Sequence, residues 1–257
     1  MILGQDTDYP THYDPTLLIP IPRKNPDSNY HGLDQWTLYE LSWLRDAHTP
    51  EVAIGHLIIP CQSSHTIESK SLKLYLNSLN NHILTSKESL IKTITDDLKR
   101  VLKTEVSITI HPLDDPIHTP TPLSGNSLDH LPVLDWPETD ISPLKTKENT
   151  IHTTWHTHRF RANCPVTNQP DWASIWIDYE GPEINPKDLL SYLVSFRNHQ
   201  GFHEQCIETI LHDIVTHCTP KHCSVYGRFT RRGGIDINPF RSTLPHDHIP
   251  HKRQVRQ

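Results

Sequence analysis

The feature that most constrains this chain is a succession of hydrophobic periodicities that occurs twice. In each half, two apolar runs of strand length precede two helical stretches and a closing strand. Trp36 to Leu44 and Val52 to Pro60 are the first such runs. Leu72, Leu76, Leu79 and Ile83 then fall on one helical face, and Leu90, Ile91, Ile94, Leu98, Val101 and Leu102 recur at three- and four-residue steps. Ser86, ahead of Lys87-Glu88-Ser89, is a candidate N-cap, and Val106 to His111 alternates as a strand does. In the second half, Ile151 to Arg161 and Ala173 to Glu180 read as paired strands. A helix led by Pro186 turns Leu189, Leu190, Leu193 and Val194 inward, and Cys206, Ile207, Ile210, Leu211, Ile214, Val215 and Cys218 mark another. Ser224 to Thr230 and Ile235 to Asn238 close the pattern as strands. The predicted fold class is α+β: two tandem modules, each an antiparallel sheet with two helices on one face.

Prolines set the boundaries. Pro112, Pro116, Pro120, Pro122, Pro132, Pro137 and Pro143 interrupt any ladder or helix, although Leu131 to Trp136 could pack. The expected organisation is an N-terminal arm over 1–34, a first module over 35–115, a Pro-rich connection over 116–150 and a second module over 151–257.

Charge and composition exclude several functions. With 24 Lys and Arg against 30 Asp and Glu, the net charge is −6, a poor match for nucleic-acid phosphates, which attract dense basic faces. No stretch approaches the ~18 apolar residues of a membrane helix. Met1 to Arg23 lacks a basic region followed by an apolar core, so no signal peptide is expected. Five cysteines at irregular spacings argue against a disulfide framework and for a reducing, cytoplasmic setting. The nine glycines form no G-x-G-x-x-G, and G-x-x-x-x-G-K-[ST], G-x-S-x-G and H-E-x-x-H are also missing. Any nucleotide must be held by other means.

Four segments carry chemistry. Cys164 and Asp171 lie in Cys164-Pro165-Val166-Thr167-Asn168-Gln169-Pro170-Asp171-Trp172, a loop between two predicted strands. A thiolate is a strong nucleophile that needs a base or a positive field, and Asp171 could be that base. The same residues also suit a small buried Cys in a turn, with Asp171 as a capping residue. Glu68 and Ser69, in Glu68-Ser69-Lys70-Ser71-Leu72-Lys73-Leu74-Tyr75, stand at a helix entry. Free backbone N–H groups there, with Lys70 and Lys73, favour an anion; an ordinary capped amphipathic helix would read the same way. Phe202-His203-Glu204 begins the last helix, where a carboxylate is favoured by the helix field alone. Arg231-Arg232-Gly233-Gly234 suits either close approach to a phosphate or an exposed hairpin turn.

Together these segments resemble the long form of the QueF family. The resemblance rests on Glu-Ser-Lys-Ser-x-Lys-Leu-Tyr at Glu68 to Tyr75, Cys-Pro-Val-Thr-x-Gln-Pro-Asp-Trp at Cys164 to Trp172 and Phe-His-Glu at Phe202 to Glu204. Arg-Arg-Gly-Gly-x-Asp-Ile-Asn-Pro at Arg231 to Pro239 and the arm from Tyr9 to Pro22 complete it. It implies two tunnelling-fold modules, a homodimer, and reduction of free 7-cyano-7-deazaguanine to 7-aminomethyl-7-deazaguanine by two NADPH, for queuosine biosynthesis, with no metal. It implies Cys164 as nucleophile, Asp171 as proton carrier, and Ile67, Glu68, Ser69, Phe202, His203 and Glu204 around the substrate. Ser69, Lys70, Arg232 and Gly233 are implied at the cofactor, and the pocket is expected between modules. Two rivals are a zinc-dependent cyclohydrolase or pterin-type enzyme of the same fold, using His217, Cys218, His222 and Cys223, and a non-catalytic purine-binding module.

Overall fold

The computed structural model describes residues 9–24, 30–133, 144–245 and 253–257. Trp136, Pro137 and Pro143 of the Pro-rich stretch lie outside them. The chain divides into two compact units. The first takes Met1–Ser28, Leu33–Thr119 and Arg231–Ile237; the second takes Asn29–Gly32, Pro120–Thr230 and Asn238–Gln257. Each is a sheet-and-helix module, so the fold is α+β. The segment Arg231–Ile237 belongs to the first unit although it falls late in the sequence.

In the first unit, β2 (His31–Leu44) pairs antiparallel with β3 (Pro50–Pro60), and β3 with β5 (Ser107–His111). The helices α1 (Ser69–Ser78) and α2 (Lys87–Leu102) cover the apolar face. Leu72, Tyr75 and Leu76 from α1, with Leu90, Ile94, Leu98 and Leu102 from α2, form one buried cluster with Trp36, Leu38, Leu41, Leu57 and Ile59. Each such side chain, fully buried, contributes about 1.5–3 kcal/mol. Ser86 caps α2, with Ser89 closing a reciprocal box. One periodic position fails: Ile83 lies beyond α1 and is half exposed. Asn80 and Asn81, poor helix residues that compete for backbone hydrogen bonds, follow the end of α1, and the backbone near Ile83 bridges to Leu44 instead.

The N-terminal arm is fastened to this unit. Strand β1 (Pro20–Pro22) pairs antiparallel with β4 (His65–Ile67). The Tyr13 hydroxyl donates to Asp97 Oδ2 at 2.6 Å, and the Tyr75 hydroxyl donates to the same oxygen at 2.7 Å.

In the second unit, the long hairpin of β7 (Thr146–Asn163) and β8 (Pro170–Ile184) is continued by β9 (His222–Phe229) and by the end of β10 (Ile235–Ser242), all antiparallel. The two-residue β6 (Asn126–Ser127) joins β7 in parallel instead. The helices α3 (Pro186–Ser195) and α4 (His203–Cys218) pack on this sheet through Leu189, Leu190, Leu193, Ile207, Ile210, Leu211 and Ile214. Asn185 caps α3, with Pro186 at its first position.

Candidate active site

In the second unit, register between β7 and β8 ends at Ala162↔Asp171 and Asn163↔Pro170. Cys164 therefore opens the hairpin loop, and Asp171 stands just inside it on the other strand. The loop closes on itself. The Cys164 N–H donates to the Gln169 carbonyl and the Asn168 N–H to the Cys164 carbonyl, both at 2.9 Å. Asn168 takes a φ of 57°, a left-handed conformation that Asn tolerates better than most residues. Its side-chain oxygen accepts from Gln200 Nε2 at 3.1 Å.

A second strap fixes what lies beside the loop. The Asn163 N–H donates to the His199 carbonyl at 2.8 Å, and the Gly201 N–H donates to the Asn163 carbonyl at 3.1 Å. This short parallel bridge seats 199–201 against the end of β7, so α4 starts next to the Cys164 loop. Phe202 is the residue before the first turn and makes no side-chain cap bond; His203 and Glu204 form that turn. His203 Nε2 lies 3.3 Å from Asp171 Oδ2. Its ring stacks on Phe229, centroids 3.9 Å apart and planes 10° apart. Asp171 and Glu204 are only 4% and 5% exposed, an unusual burial for carboxylates, which rarely leave water without partners.

The cysteines divide sharply. None is in a disulfide, and Cys164 alone is not buried. Burial pushes the Cys218 thiol up to about 11. It pushes those of Cys206 and Cys223 higher, Cys206 further opposed by the charges of Asp171 and Glu204. Since the thiolate is the nucleophile, these three are poorly placed to react. Cys218 and Cys223 sit in the core, and among the described residues no group of three or more His, Cys, Asp or Glu side chains could hold a metal ion.

In the first unit, Glu68 caps α1. Its Oε1 accepts from the Lys70 N–H at 2.9 Å and its Oε2 from the Ser71 N–H at 2.6 Å. Of the two readings of this helix entry, the capped helix is the one present: the chain's own carboxylate takes two of the first-turn N–H groups. The cap is braced by the arm. The Glu68 N–H donates to the Ile19 carbonyl at 2.9 Å. Ser71 Oγ donates to the Glu68 carbonyl at 2.7 Å and accepts from the Ile19 N–H at 3.1 Å. Ile67 is buried in the unit's core, whereas Ser69 and Lys70 are exposed.

Arg232 and Gly233 form a hairpin turn in this unit. The Arg232 and Ile235 backbones exchange bonds of 2.8 and 3.1 Å. Gly233 and Gly234 between them have φ of 57° and 77°, as a two-residue turn matched to strand twist requires. A Cβ on Gly234 would lie 2.4 Å from Glu40 Cδ. One on Gly233 would lie 3.1 Å from Lys73 Cδ and 3.3 Å from its Nζ. Lys73 thus links α1, which carries Ser69 and Lys70, to the turn carrying Arg232 and Gly233. The Arg231 guanidinium lies 4.1 Å from the Tyr39 ring centroid, a cation–π distance.

Sequence reasoning gave no role to Phe229, Asn163 or Gln200. Their contacts join segments far apart in the chain, and their local patterns are those of ordinary strand and loop residues.

Residues 9–110 match the family model described as nitrile reductase, 7-cyano-7-deazaguanine-reductase N-term, and residues 170–247 match the model described as QueF-like protein. The chain is 43% identical to the NADPH-dependent 7-cyano-7-deazaguanine reductase of Coxiella burnetii (strain RSA 493 / Nine Mile phase I), across 99% of this chain and 96% of that relative. It is 44% identical to the enzyme of the same name from Legionella pneumophila (strain Lens), across 95% and 90%. A crystal structure of the archaeosine synthase QueF-Like in the apo form aligns over 39% of this chain and 100% of that one, at 14% identity and a TM-score of 0.33, too slight a likeness to add to the assignment. On its near full-length similarity to these reductases, the chain belongs to the QueF family.

Proposed function

We propose that this protein reduces the nitrile of 7-cyano-7-deazaguanine to the aminomethyl group of 7-aminomethyl-7-deazaguanine, using two NADPH, through a thioimide on Cys164. The observation that carries the reading is the hairpin: the one cysteine outside the core opens the loop, flanked by a buried carboxylate held 3.3 Å from an imidazole.

Asp171 takes the Cys164 thiol proton. The sulfur then bonds to the nitrile carbon, a π pair moves to nitrogen, and Asp171 returns the proton there. Bound NADPH supplies the hydride at each of the two reductions, first to the thioimide carbon and then to the imine. Between them the C–S bond breaks and its electron pair returns to sulfur, freeing Cys164. Overall, one nitrile, two NADPH and two protons give one amine and two NADP⁺. Phe202 and His203 cover the imine, which water would otherwise hydrolyse to an aldehyde.

Glu68 and Glu204 accept the N–H donors along the edge of the deazaguanine, with Ile67, Ser69 and His203 around them. Glu68 can do so while capping α1, because each carboxylate oxygen has a second lone pair. Ser69, Lys70, Arg232 and Gly233 bind NADPH. Their unit fits a phosphate-bearing co-substrate: Lys73 brings an ammonium beside a turn without side chains, and Lys70, Arg231 and Arg232 add charge suited to the 2′-phosphate. The reading includes two tunnelling-fold modules, a homodimer, a free-base substrate without nucleic acid, no metal and a cytoplasmic setting. The direct test is NADPH absorbance: it falls when the cyano base is added, and a steady trace with folded protein refutes the reaction.

A further inference from the structure

We infer that Phe229 is a positioning residue for this chemistry: its ring fixes the plane of His203, so that Nε2 faces Asp171 and carries the proton of a neutral imidazole. The inference rests on the proposed reaction for its consequence and on geometry within the second unit for its substance. Phe229 ends β9 opposite Ala173 of β8, two residues along from Asp171. The Thr230 N–H donates to the Trp172 carbonyl at 2.9 Å, carrying the pairing past it. The register therefore delivers the ring to the strand that bears the carboxylate.

The ring is held on three sides. Phe160 meets it edge-on, centroids 6.0 Å apart and planes at 88°. Gly227 leaves a hollow for it: a Cβ there would lie 2.9 Å from Phe229 Cε2 and 2.6 Å from Ile207 Cδ1. The third side is His203, parallel within 10° at 3.9 Å. An imidazole's terminal torsion is broad and close to two-fold, so without a planar partner the ring readily turns, exchanging Nδ1 with Cδ2 and Nε2 with Cε1 and taking Nε2 away from Asp171. A ring of 0% exposure, wedged between Phe160 and Gly227, removes that freedom.

The two nitrogens are not equivalent here. Nε2 faces Asp171, whereas Nδ1 is buried with no hydrogen-bond partner among the described residues. A proton on Nδ1 would be a buried donor left unmade, which is costly. A proton on Nε2 is given to a carboxylate. Burial and the charges of Asp171 and Glu204 push the Cys206 thiol up, and Glu204 and Cys206 lie on α4 like His203. At 3.3 Å the Nε2–H bond turns the positive end of its dipole toward Asp171.

The test compares wild type with Phe229→Met, which fills the volume without a plane, and Phe229→Tyr, which keeps the plane. ¹⁵N spectra of labelled imidazoles, assigned with His203→Asn, report the tautomer. Wild type and Phe229→Tyr are expected to show one neutral Nε2–H species, and Phe229→Met a mixture. Phe229→Met should lose about tenfold in kcat, the scale of a small misplacement of a reacting group, with KM for NADPH unchanged; Phe229→Tyr should restore most of kcat. An Nδ1–H species in the wild type overturns the inference whatever the variants do. So does a folded Phe229→Met protein with the wild-type spectrum or kcat, or a Phe229→Tyr protein no better than Phe229→Met. A wild type that never reduces the cyano base refutes the proposed reaction instead, and the spectra still decide the stack.

Discussion

The two helices that open at the candidate residues, α1 in the first unit and α4 in the second, begin in opposite ways. At α1 a carboxylate does the capping: both oxygens of Glu68 are committed to backbone N–H groups of the first turn. At α4 the N-cap side chain makes no bond and Gln205 Oε1 accepts from the Phe202 N–H only at 3.4 Å; the turn is located by backbone instead, through the Asn163, His199 and Gly201 bridge to β7. The first arrangement makes one residue serve both fold and proposed binding. The second leaves the first-turn side chains His203 and Glu204 outside the capping, so the chemistry there can change without undoing the helix.

Substitutions can break that contrast or sharpen it. The largest effect is expected for Cys164→Ala, which should abolish turnover while leaving the melting temperature nearly unchanged, since its side chain lies outside the core; residual reduction by the purified variant would remove the thiol from the mechanism. Next, Asp171→Asn should keep substrate binding and lose roughly 10²–10⁴-fold in kcat, the range for a lost general acid–base; near-normal kcat would take Asp171 out of the chemistry. Glu68→Ala should raise KM for the cyano base and also destabilise the fold by about 1 kcal/mol, the usual worth of an N-cap. Calorimetry beside Glu204→Gln tests the contrast directly, because the α4 variant should weaken binding with the smaller fall in melting temperature. The smallest effect belongs to the basic turn: Arg232→Ala should raise KM for NADPH several-fold with little change in kcat or stability, and should narrow the preference for NADPH over NADH. Equal use of both by the wild type would count against a phosphate-binding role for Lys70 and Arg232.

Much of the fold was legible because burial imposes period. Leu90, Ile94, Leu98 and Leu102 recur because they share one helix face over one sheet, and all are fully buried. Periodicity misled at Ile83, where two asparagines end the helix that the pattern would have continued. Of the candidate site, the reactive residues could be read as chemical types in motifs, and Gly233-Gly234 as a turn. How those groups are held could not. The Glu68 cap depends on an arm some 50 residues away, with Ile19 bonded to Glu68 and Ser71. The Phe229 stack depends on the register of β8 and β9. Neither leaves a local pattern, because each is decided by which distant segments meet.

The proposed covalent step is open to one direct measurement: intact-mass spectrometry of the protein mixed with 7-cyano-7-deazaguanine in the absence of NADPH, followed by peptide mapping. The account predicts a gain equal to the mass of the base, located on the peptide containing Cys164 and lost when NADPH is supplied. An unmodified mass from protein that turns over normally, or an adduct on Cys61, Cys206, Cys218 or Cys223, would contradict it.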